Sequence, residues 1–375
     1  MISLASIATH YRTALTQRYA HLMRPQHHRA LSHIIDCHTP QCGELRYHCD
    51  GCQHSATYYP SCGDRHCPAC QHQCNQNWLA AQQQKLLPVD YYLVGFTVPQ
   101  QLRGFFWYHQ KWAYHALITA AIATLQSFFK RDRQLGDRAG MVAVLHTHSR
   151  QLRYHPHVHV MVPGGAVNNQ GSRWLSKPGK YLFRADNLAK VFRGKFIAAM
   201  LTAGFYLPSR TPTEWNADCA FVGRGDSALT YLARYLYRGV LNEHNILAWH
   251  NDNITFQYQD NATKRYKTLT EPAVAFLWRV LQHVLPKGFR RSRNYGFLHG
   301  NGKRLLWRLQ LMLRVRLPQA ASCPKRGVCC PRCQQPMRLC LIRRGRDITT
   351  RLKSHNKDVP NTKDGGRSYD DDMKK

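Results

Sequence analysis

Acidic residues are scarce in this 375-residue sequence: 21 Asp and Glu stand against 53 Lys and Arg, which gives a formal net charge of +32. Such an excess favours a polyanionic partner. Aromatic residues make up 11% of the chain and could stack on nucleic-acid bases between the cations. The 43% hydrophobic content is sufficient for folded cores. Nucleic acid is therefore the expected partner, with an anionic membrane surface as the alternative.

The sequence also lacks long apolar runs. Its most apolar segment, residues 112–129, is interrupted by polar residues, whereas a membrane-spanning helix needs about 18 or more consecutive apolar residues. Residues 1–10 do not have the charged and apolar parts of a secretory signal. A Gly-x-x-x-x-Gly-Lys-Ser/Thr phosphate loop is missing as well. We therefore expect no membrane partner, no ATP-driven chemistry of the P-loop type, and a cytoplasmic protein associated with the nucleoid.

Composition divides the chain into five segments. Residues 1–36 carry apolar residues at helical spacing, and residues 37–87 are rich in cysteine and histidine. Residues 88–318 alternate β-rich runs with helical patterns, which is typical of an α+β domain. The expected strands lie at 91–98, 141–148, 157–162 and 254–258, and the expected helices at 107–129, 185–203, 228–240 and 272–285. Residues 319–343 are a candidate zinc ribbon, and the charged residues 344–375 are expected to be disordered.

The 14 cysteines are clustered, with eight between Cys37 and Cys74. In a reducing compartment, closely spaced cysteines are more often metal ligands than disulfides. Two Cys-x-x-Cys pairs in this block are separated by 14 residues, and such pairs direct two thiolates each toward one ion. The sequence therefore predicts one structural zinc site, formed by Cys49, Cys52, Cys67 and Cys70.

Other cysteines and histidines leave the number of zinc ions open. Cys62 and His66 lie between the two pairs and are candidates for further ligands. Cys330 and Cys333 form one clear pair in the second cluster, so a further ribbon there competes with free thiols. Free cysteines in a small core are the alternative for the first cluster too. A zinc module that contacts DNA and one that only stabilises the fold would share this pattern.

A histidine-rich segment follows at residues 154–165. Side chains alternate across a strand, so His157 and His159 share one face while the valines between and after them line the other. Two imidazoles at this spacing can bind one divalent ion from a rigid support. Histidines that are exposed or satisfied within a core are the alternative, because the chain contains 22 of them.

Residues 227–239 have the pattern of a helix that ends at a glycine. Tyr231 and Tyr235 are four residues apart, so their hydroxyl groups lie one turn apart on one face, with Arg234 and Arg238 as a parallel basic row that could contact DNA. A packed aromatic pair is the alternative. A tyrosine becomes an effective nucleophile when a nearby cation stabilises its phenolate, which a metal on the histidine strand would supply.

A basic segment with interleaved aromatic residues lies at 287–295. Such a pattern favours contacts to phosphates with some base stacking, and a solvated basic face is the alternative. The candidate DNA-binding residues in it are Lys287, Arg290, Arg291, Arg293 and Tyr295.

Four motifs occur in one order along the chain: the cysteine pairs within 49–70, HPHVHVMVPGG at 155–165, YLARY at 231–235, and VLPKGFR at 284–290 followed by RNYGFL at 293–298. Together they resemble the rolling-circle transposases of the IS91 type. These belong to the larger class of HUH single-strand nucleases, named for a His-hydrophobic-His motif. The resemblance covers residues from about 30 to 335.

The resemblance implies an antiparallel sheet with the histidine strand at its centre. It implies that His157 and His159 bind a catalytic Mg²⁺ or Mn²⁺, and that Tyr231 and Tyr235 are the nucleophiles. One tyrosine would nick single-stranded DNA at an element end, leaving a 5′-phosphotyrosine and a free 3′-OH, and the second would allow a further strand exchange. Alternatives are a replication initiator or relaxase with the same chemistry, and a zinc DNA-binding protein without catalysis. The resemblance assigns neither a third metal ligand nor an oligomeric state.

Overall fold

A computed structural model gives the architecture of the chain. It describes residues 2–177, 179–224, 227, 240–260, 263–315 and 327–345, apart from the side chains of residues 72–75. The chain forms two compact units: the first comprises Met1–Cys37 and Cys62–Pro324, and the second comprises His38–Ser61 and Lys325–Lys375. The residues expected as one zinc-binding domain at 37–87 are thus divided between the two units.

The described residues contain helices and strands in a mixed order. The helices are α1 (Leu4–Arg18), α2 (Pro25–Asp36), α3 (Pro68–Gln83), α4 (Arg103–Tyr108), α5 (Gln110–Arg131), α6 (Ala185–Thr202), α7 (Ala273–Leu281) and α8 (Lys303–Met312). The strands are β1 (Gly43–His48), β2 (Ser55–Tyr58), β3 (Asp90–Thr97), β4 (Met141–His148), β5 (Tyr154–Pro163), β6 (Gly165–Val167), β7 (Trp174–Ser176), β8 (Asn216–Arg224), β9 (Ile246–His250), β10 (Asn253–Gln259), β11 (Tyr266–Pro272), β12 (Ser292–Tyr295) and β13 (Arg338–Arg344).

A five-stranded sheet forms the centre of the first unit. Its strand order is β12-β4-β5-β3-β8, and every neighbouring pair is antiparallel. The histidine strand β5 therefore lies in the middle, between β4 and β3. The predicted α+β class with an antiparallel sheet is confirmed.

One face of this sheet is covered by helices. Val158, Val160 and Val162 of β5 are fully buried in a core that also contains the inward-facing residues of α4, α5 and α6. The helix α5 is apolar over most of its circumference, which suits a helix packed between the sheet and its neighbours. The rigid support of the histidine strand is thus provided by its apolar face.

Two further cores complete the first unit. One packs α1, α2 and α7 against the three-stranded sheet β11-β10-β9 and is centred on residues such as Leu15, Ile254 and Phe276. The other lies on the second face of the central sheet, where Val144 and Met161 meet apolar residues of α8. This third core covers only part of that face, and the histidines occupy another part of it.

The second unit is a small antiparallel sheet with the strand order β13-β1-β2. Among the described residues, its hydrophobic cluster consists of buried Cys49, Cys330 and Met337, with four half-buried neighbours around them. Across the described residues of both units, each helix is too short or too polar to cross a membrane.

Candidate active site and metal centres

His157 and His159 project from the same face of β5, opposite the buried valines. His159 lies opposite Gly95 of β3 and Val144 of β4, and His157 lies opposite Thr97 of β3. The predicted alternation along the strand is therefore what the structure has. The strand expected at 157–162 begins earlier, at Tyr154, so that Pro156 lies buried inside β5. It lies beside the shift of the β4 register between His146 and His148, an irregularity of the kind where strands tolerate proline.

A third imidazole reaches the same place from the neighbouring strand. His146 of β4 lies directly opposite His157 in the antiparallel register. The ring centroid of His146 is 5.1 Å from that of His157 and 4.8 Å from that of His159. One potential ligand atom from each of the three rings lies within 4.8 Å of the others. The three histidines can therefore share one divalent ion.

All three imidazoles are held in the neutral form. Burial, followed by the charge of His159, lowers the pKa of His157 to about 3, and burial lowers the pKa of His159 to about 4. Burial and the neighbouring histidines also place the pKa of His146 well below its usual range. Neutral imidazole is the form that binds metal. Within the described part of the chain, buried His146 Nε2 and His159 Nδ1 have no hydrogen-bond partner, as expected of nitrogens reserved for an ion.

His155 has a different role from the other two histidines of the strand. Its backbone carbonyl lies 2.8 Å from His157 Nδ1 and accepts a hydrogen bond from it, which fixes the ring and leaves Nε2 of His157 for an ion. The His155 imidazole lies 3.3 Å from a guanidinium nitrogen of Arg103. It does not belong to the three-histidine group.

A glycine on β3 leaves room for a carboxylate beside the histidines. Gly95 lies opposite His159 on one side and Asp218 of β8 on the other. A β-carbon at position 95 would lie 1.9 Å from Asp218 Oδ1 and 3.3 Å from His159 Cδ2. Although Asp218 as a residue is exposed, its carboxyl group leans over Gly95, and this desolvation raises its pKa. Asp218 thus places a carboxylate next to the histidine group.

The predicted nucleophiles cannot be placed in this geometry. Tyr231, Tyr235, Arg234 and Arg238 all lie outside the described residues.

The basic segment at 287–295 divides into exposed and packed residues. Lys287 and Arg290 are exposed, whereas Arg291, Arg293 and Tyr295 are half-buried. The Arg293 guanidinium lies 4.9 Å from the centroid of the Phe289 ring, and its Nη1 is 2.9 Å from His115 Nδ1. Lys287 and Arg290 are therefore the two cations of this segment that face solvent most fully.

The cysteines form two separate groups. In the first unit, Cys37, Cys62, Cys67 and Cys70 bring their Sγ atoms within 4.8 Å of one another. The Sγ of Cys70 is 3.6 Å from that of Cys37 and 3.4 Å from that of Cys62. Hydrogen bonds from the Cys62 and Cys67 thiols lower the pKa of Cys37, and the shared proton raises that of Cys62. Such a group favours thiolates around a cation.

The loop between Cys62 and Cys67 is fixed by Asp64. Its carboxylate accepts a hydrogen bond from the backbone N–H of His66 at 2.8 Å and pairs with His33 Nδ1 at 2.8 Å. Cys37 Sγ accepts a hydrogen bond from the backbone N–H of Cys62 at 3.5 Å. These contacts position the loop that carries Cys62 and Cys67.

The second group lies in the second unit and contains Cys49, Cys52, Cys330 and Cys333. The structure therefore places Cys49 and Cys52 in a different cysteine group from Cys67 and Cys70, whereas the sequence pattern predicts that these four share one ion. Chain spacing suggested that pairing, but the antiparallel pairing of β1 with β13 brings the carboxy-terminal pair to the first one instead.

Cys62 and His66, the two candidates for further zinc ligands, have different positions in the structure. Cys62 belongs to the first cysteine group. His66 does not, because its Nε2 accepts a hydrogen bond from Arg65 Nε at 3.2 Å and from the backbone N–H of Leu285 at 3.4 Å. Burial lowers the pKa of His66 to about 3, so its imidazole is neutral and accepts hydrogen bonds. The bond from Leu285 connects the loop between Cys62 and Cys67 to the residues just before the basic segment at 287–295.

Comparison with known proteins decides the family. Residues 140–304 match the family described as "Putative transposase", and residues 6–98 match the family described as "Transposase zinc-binding domain". The "Putative transposase y4qJ" of Sinorhizobium fredii is 31% identical over 343 residues, which cover 82% of this chain and 86% of that protein. The chain belongs to the IS91-type transposases.

A second relative supports the same family. The "Transposase for insertion sequence element IS801" of Pseudomonas savastanoi pv. phaseolicola is 28% identical over 313 residues, covering 75% of this chain and 74% of that protein. Solved structures, in contrast, provide no match. As an IS91-type transposase the chain is a DNA-binding enzyme that cleaves DNA and transfers strands. Its zinc-binding domain and cysteine groups support structural Zn²⁺.

Within the histidine and cysteine groups of this transposase, two features were not predicted from its sequence. One is His146, although the string HTH at 146–148 already places a second pair of histidines on an expected strand. The other is the association of Cys330 and Cys333 with Cys49 and Cys52. The local sequence does not distinguish this pairing, because Cys52, Cys70 and Cys333 are all followed by glutamine.

Proposed function

We propose that this transposase nicks and rejoins single-stranded DNA at the ends of its element through a 5′-phosphotyrosine intermediate, as in rolling-circle transposition. The observation that carries the proposal is the group of three neutral imidazoles on two adjacent strands of the central sheet. Its position on rigid strands, supported by a packed apolar face, is what a catalytic metal site requires.

The residues present fit a divalent ion at this place. His146, His157 and His159 would hold it, and Asp218 would add a negative charge beside it. Mg²⁺ prefers oxygen ligands, and imidazole is a softer donor, so this set suits Mn²⁺ better than Mg²⁺. When bound, the ion supplies Lewis-acid polarisation of the scissile phosphate and positive charge beside the attacking oxygen.

Tyr231 and Tyr235 are the proposed nucleophiles. One hydroxyl oxygen forms a bond to phosphorus, the bond from phosphorus to the 3′ oxygen breaks, and that oxygen receives a proton to become a free 3′-OH. The reaction exchanges one phosphodiester bond for another, so rejoining needs neither ATP nor water. The second tyrosine would accept a second strand before the first is released.

The proposed DNA contacts surround this chemistry. Lys287 and Arg290 are exposed and can contact phosphates, while Arg291, Arg293 and Tyr295 would contribute from half-buried positions. Arg234 and Arg238 are proposed to contact the strand beside the tyrosines. Single-strand specificity is part of the proposal, since the tyrosine must reach a phosphate that is not enclosed in a duplex.

The test is an adduct assay with the purified full-length chain. End-labelled single-stranded DNA from each element end is incubated with Mn²⁺, Mg²⁺ or EDTA and resolved on a denaturing gel. We expect a covalent protein–DNA adduct that requires the metal and disappears in the double variant Tyr231→Phe, Tyr235→Phe. The matched control is Tyr237→Phe, which removes a hydroxyl from the same stretch of sequence and should retain the adduct.

Two results would contradict the proposal. Nicking by the double variant would show that neither tyrosine is the nucleophile. Binding of end sequences by the wild type with no adduct under any metal condition would indicate a zinc DNA-binding protein without this chemistry.

A further inference from the structure

The second unit contains two turns with the same local structure. The first spans Cys49 to His54 and the second spans Cys330 to Gln335, and both begin with the sequence Cys-x-x-Cys-Gln. In each turn the carbonyl of the first cysteine accepts a hydrogen bond from the glutamine N–H at 2.9 Å. In each, the N–H of the first cysteine donates to the carbonyl of the residue after the glutamine at 2.8 Å. The two turns are therefore equivalent bond by bond.

The backbone of the two turns matches in a less common feature. Gln53 has φ of 58° and Gln334 has φ of 62°, a region that normally favours glycine. The flanking residues also correspond, since His48 pairs with Ser55 beside the first turn and Cys329 bridges to Pro336 beside the second. Two turns from opposite ends of the chain that adopt the same uncommon conformation indicate a shared geometric requirement.

The geometry of the two turns brings four sulfur atoms close together. Sγ of Cys49 is 3.4 Å from that of Cys333, and Sγ of Cys52 is 3.5 Å from that of Cys330. Zinc with sulfur ligands at about 2.3 Å in a tetrahedron gives sulfur–sulfur distances of about 3.8 Å. Each turn supplies two thiolates, so the pair of turns forms a complete set of four ligands.

The unit has little else to hold it together. Its one described hydrophobic cluster has three buried members, Cys49, Cys330 and Met337, and every residue of β13 is exposed. A cluster of three buried residues is far below the core that a domain of this size needs, and small domains of this kind are stabilised by disulfides or metals. The cysteines are free thiols, which leaves a metal.

We propose that the second unit is a zinc ribbon closed by one ion that Cys49, Cys52, Cys330 and Cys333 bind together. Neither Cys330 nor Cys333 falls in the ranges that match the two families, which end at residues 98 and 304. The ion is separate from the one at Cys37, Cys62, Cys67 and Cys70. The amino-terminal pair is therefore incomplete until the chain has been synthesised beyond residue 333.

The test counts zinc in the full-length protein by mass spectrometry of the metal, with the histidine group intact in every variant. We expect Cys49→Ser with Cys52→Ser, and Cys330→Ser with Cys333→Ser, each to lose one ion per chain. Combining all four substitutions should lose no more than that one ion. Cys67→Ser with Cys70→Ser should lose a different ion, so that its effect adds to either pair.

Controls and a second measurement keep the result clear if a double variant is insoluble. Cys329→Ser and Cys340→Ser remove exposed thiols beside the second turn and should keep the wild-type zinc count. Cys333→Ser changes the exposed ligand alone and should weaken metal binding, while Cys333→His should restore it. In the cobalt-substituted protein, Cys330→Ser with Cys333→Ser should remove one set of the absorption bands of a four-thiolate site.

The opposite pattern would overturn the proposal. If loss of Cys49 and Cys52 and loss of Cys67 and Cys70 remove the same ion, the two amino-terminal pairs share a site. If the Cys330 and Cys333 variant keeps the wild-type zinc count, the second turn binds no zinc.

Discussion

His146 reaches the candidate active site from β4, one strand away from His157 and His159. The ligand set therefore combines two residues separated by one position with a third that depends on strand pairing. A site that spans two hydrogen-bonded strands has little freedom to change its spacing, because the sheet fixes the distance between the strands. The three imidazoles form a preorganised face.

The first prediction concerns His146. His146→Ala removes one of three proposed ligands, and we expect Mn²⁺ affinity to fall by roughly a hundredfold, at the upper end of the loss seen when even an outer contact of a ligand is removed. Isothermal titration with Mn²⁺ measures it. His155→Ala is the control, because that imidazole lies on β5 with His157 and His159 but outside the group. Equal affinities of wild type and His146→Ala would exclude His146 as a ligand.

The second prediction uses the space above Gly95. In Gly95→Ala the new methyl group would lie 1.9 Å from Asp218 Oδ1, so the carboxylate must move away from His159. Loss of this nearby negative charge should weaken Mn²⁺ binding about tenfold, or about 1.4 kcal/mol. Asp218→Asn should have a similar effect, and the double variant should be no weaker than either single one. Gly104→Ala, with open space around its β-carbon, is the control.

Fully additive losses for Gly95→Ala and Asp218→Asn would contradict this account, since the two changes would then act on different groups.

Residue spacing along the sequence predicts part of the candidate site, and the rest depends on which strands pair in the sheet. The placement of His157 and His159 on one face follows from strand alternation alone. His146 and Asp218 come from strands β4 and β8, and no local pattern specifies which strands are neighbours or their register. The roles of Tyr231 and Tyr235 remain predictions, because those residues lie outside the described part of the chain.

At the scale of elements, α2 begins with an unusual cap. Pro25 occupies its first turn, and His27 Nδ1 accepts a hydrogen bond from the backbone N–H of Arg24 at 2.9 Å. The His27 ring is fully buried and stacks on Trp107 with centroids 5.7 Å apart. Burial, and then the charge of Arg24, lowers the pKa of His27 to about 4. The start of α2 therefore requires a neutral imidazole.

The third prediction is a pH dependence of stability at this helix start. The unfolded chain binds a proton at His27 below about pH 6.5, whereas the folded chain does so only below about pH 4. Stability should therefore be lost as pH falls from 6.5 to 4, by up to roughly 3 kcal/mol from this group, and no further below that. In His27→Gln the amide can still accept the Arg24 hydrogen bond but does not titrate.

Denaturant unfolding between pH 4 and 7 measures the difference. The loss of stability on acidification should be smaller in His27→Gln than in the wild type, and unchanged in His21→Gln, which alters an exposed histidine shortly before the same helix. If the free energy of unfolding falls by the same amount between pH 7 and 4 in the wild type and in His27→Gln, the prediction is contradicted.

Elements with a strong local period were predictable in kind and approximate position. The expected strand at 141–148 coincides with β4, and the expected helix at 185–203 differs by one residue from α6 (Ala185–Thr202). The expected helix at 107–129 is instead two helices, α4 and α5, because the chain is interrupted at His109. The sheet β13-β1-β2 was not predicted, because it joins strands from opposite ends of the sequence.

For the whole molecule, charge is the dominant property. A net charge of +32 implies strong attraction to any nucleic acid, most of it independent of sequence. Sequence preference at element ends must therefore come from a smaller set of contacts added to this background.

The fourth prediction is the salt dependence of DNA binding. If six to ten phosphates are contacted, affinity for single-stranded DNA should fall by about three hundredfold or more between 50 and 200 mM salt. Lys287→Ala with Arg290→Ala should weaken binding to all sequences and reduce the slope of log Kd against log salt by about 1.4. Fluorescence anisotropy at several salt concentrations measures it.

Arg184→Ala is the control for this measurement, because its guanidinium is already paired with Asp186 at 2.8 Å. A slope that changes equally in the control and in the Lys287 and Arg290 variant would contradict a specific role for the basic segment.

The first cysteine group has a consequence for how this chain can vary. The chain leaves the first unit at Cys37 and returns to it at Cys62, and both residues belong to that one group. Whatever lies between them therefore begins and ends at the same point. Insertions, deletions or exchange of residues 38–61 leave the spacing of the four thiolates unchanged, so this segment can diverge between relatives while the first unit keeps its fold.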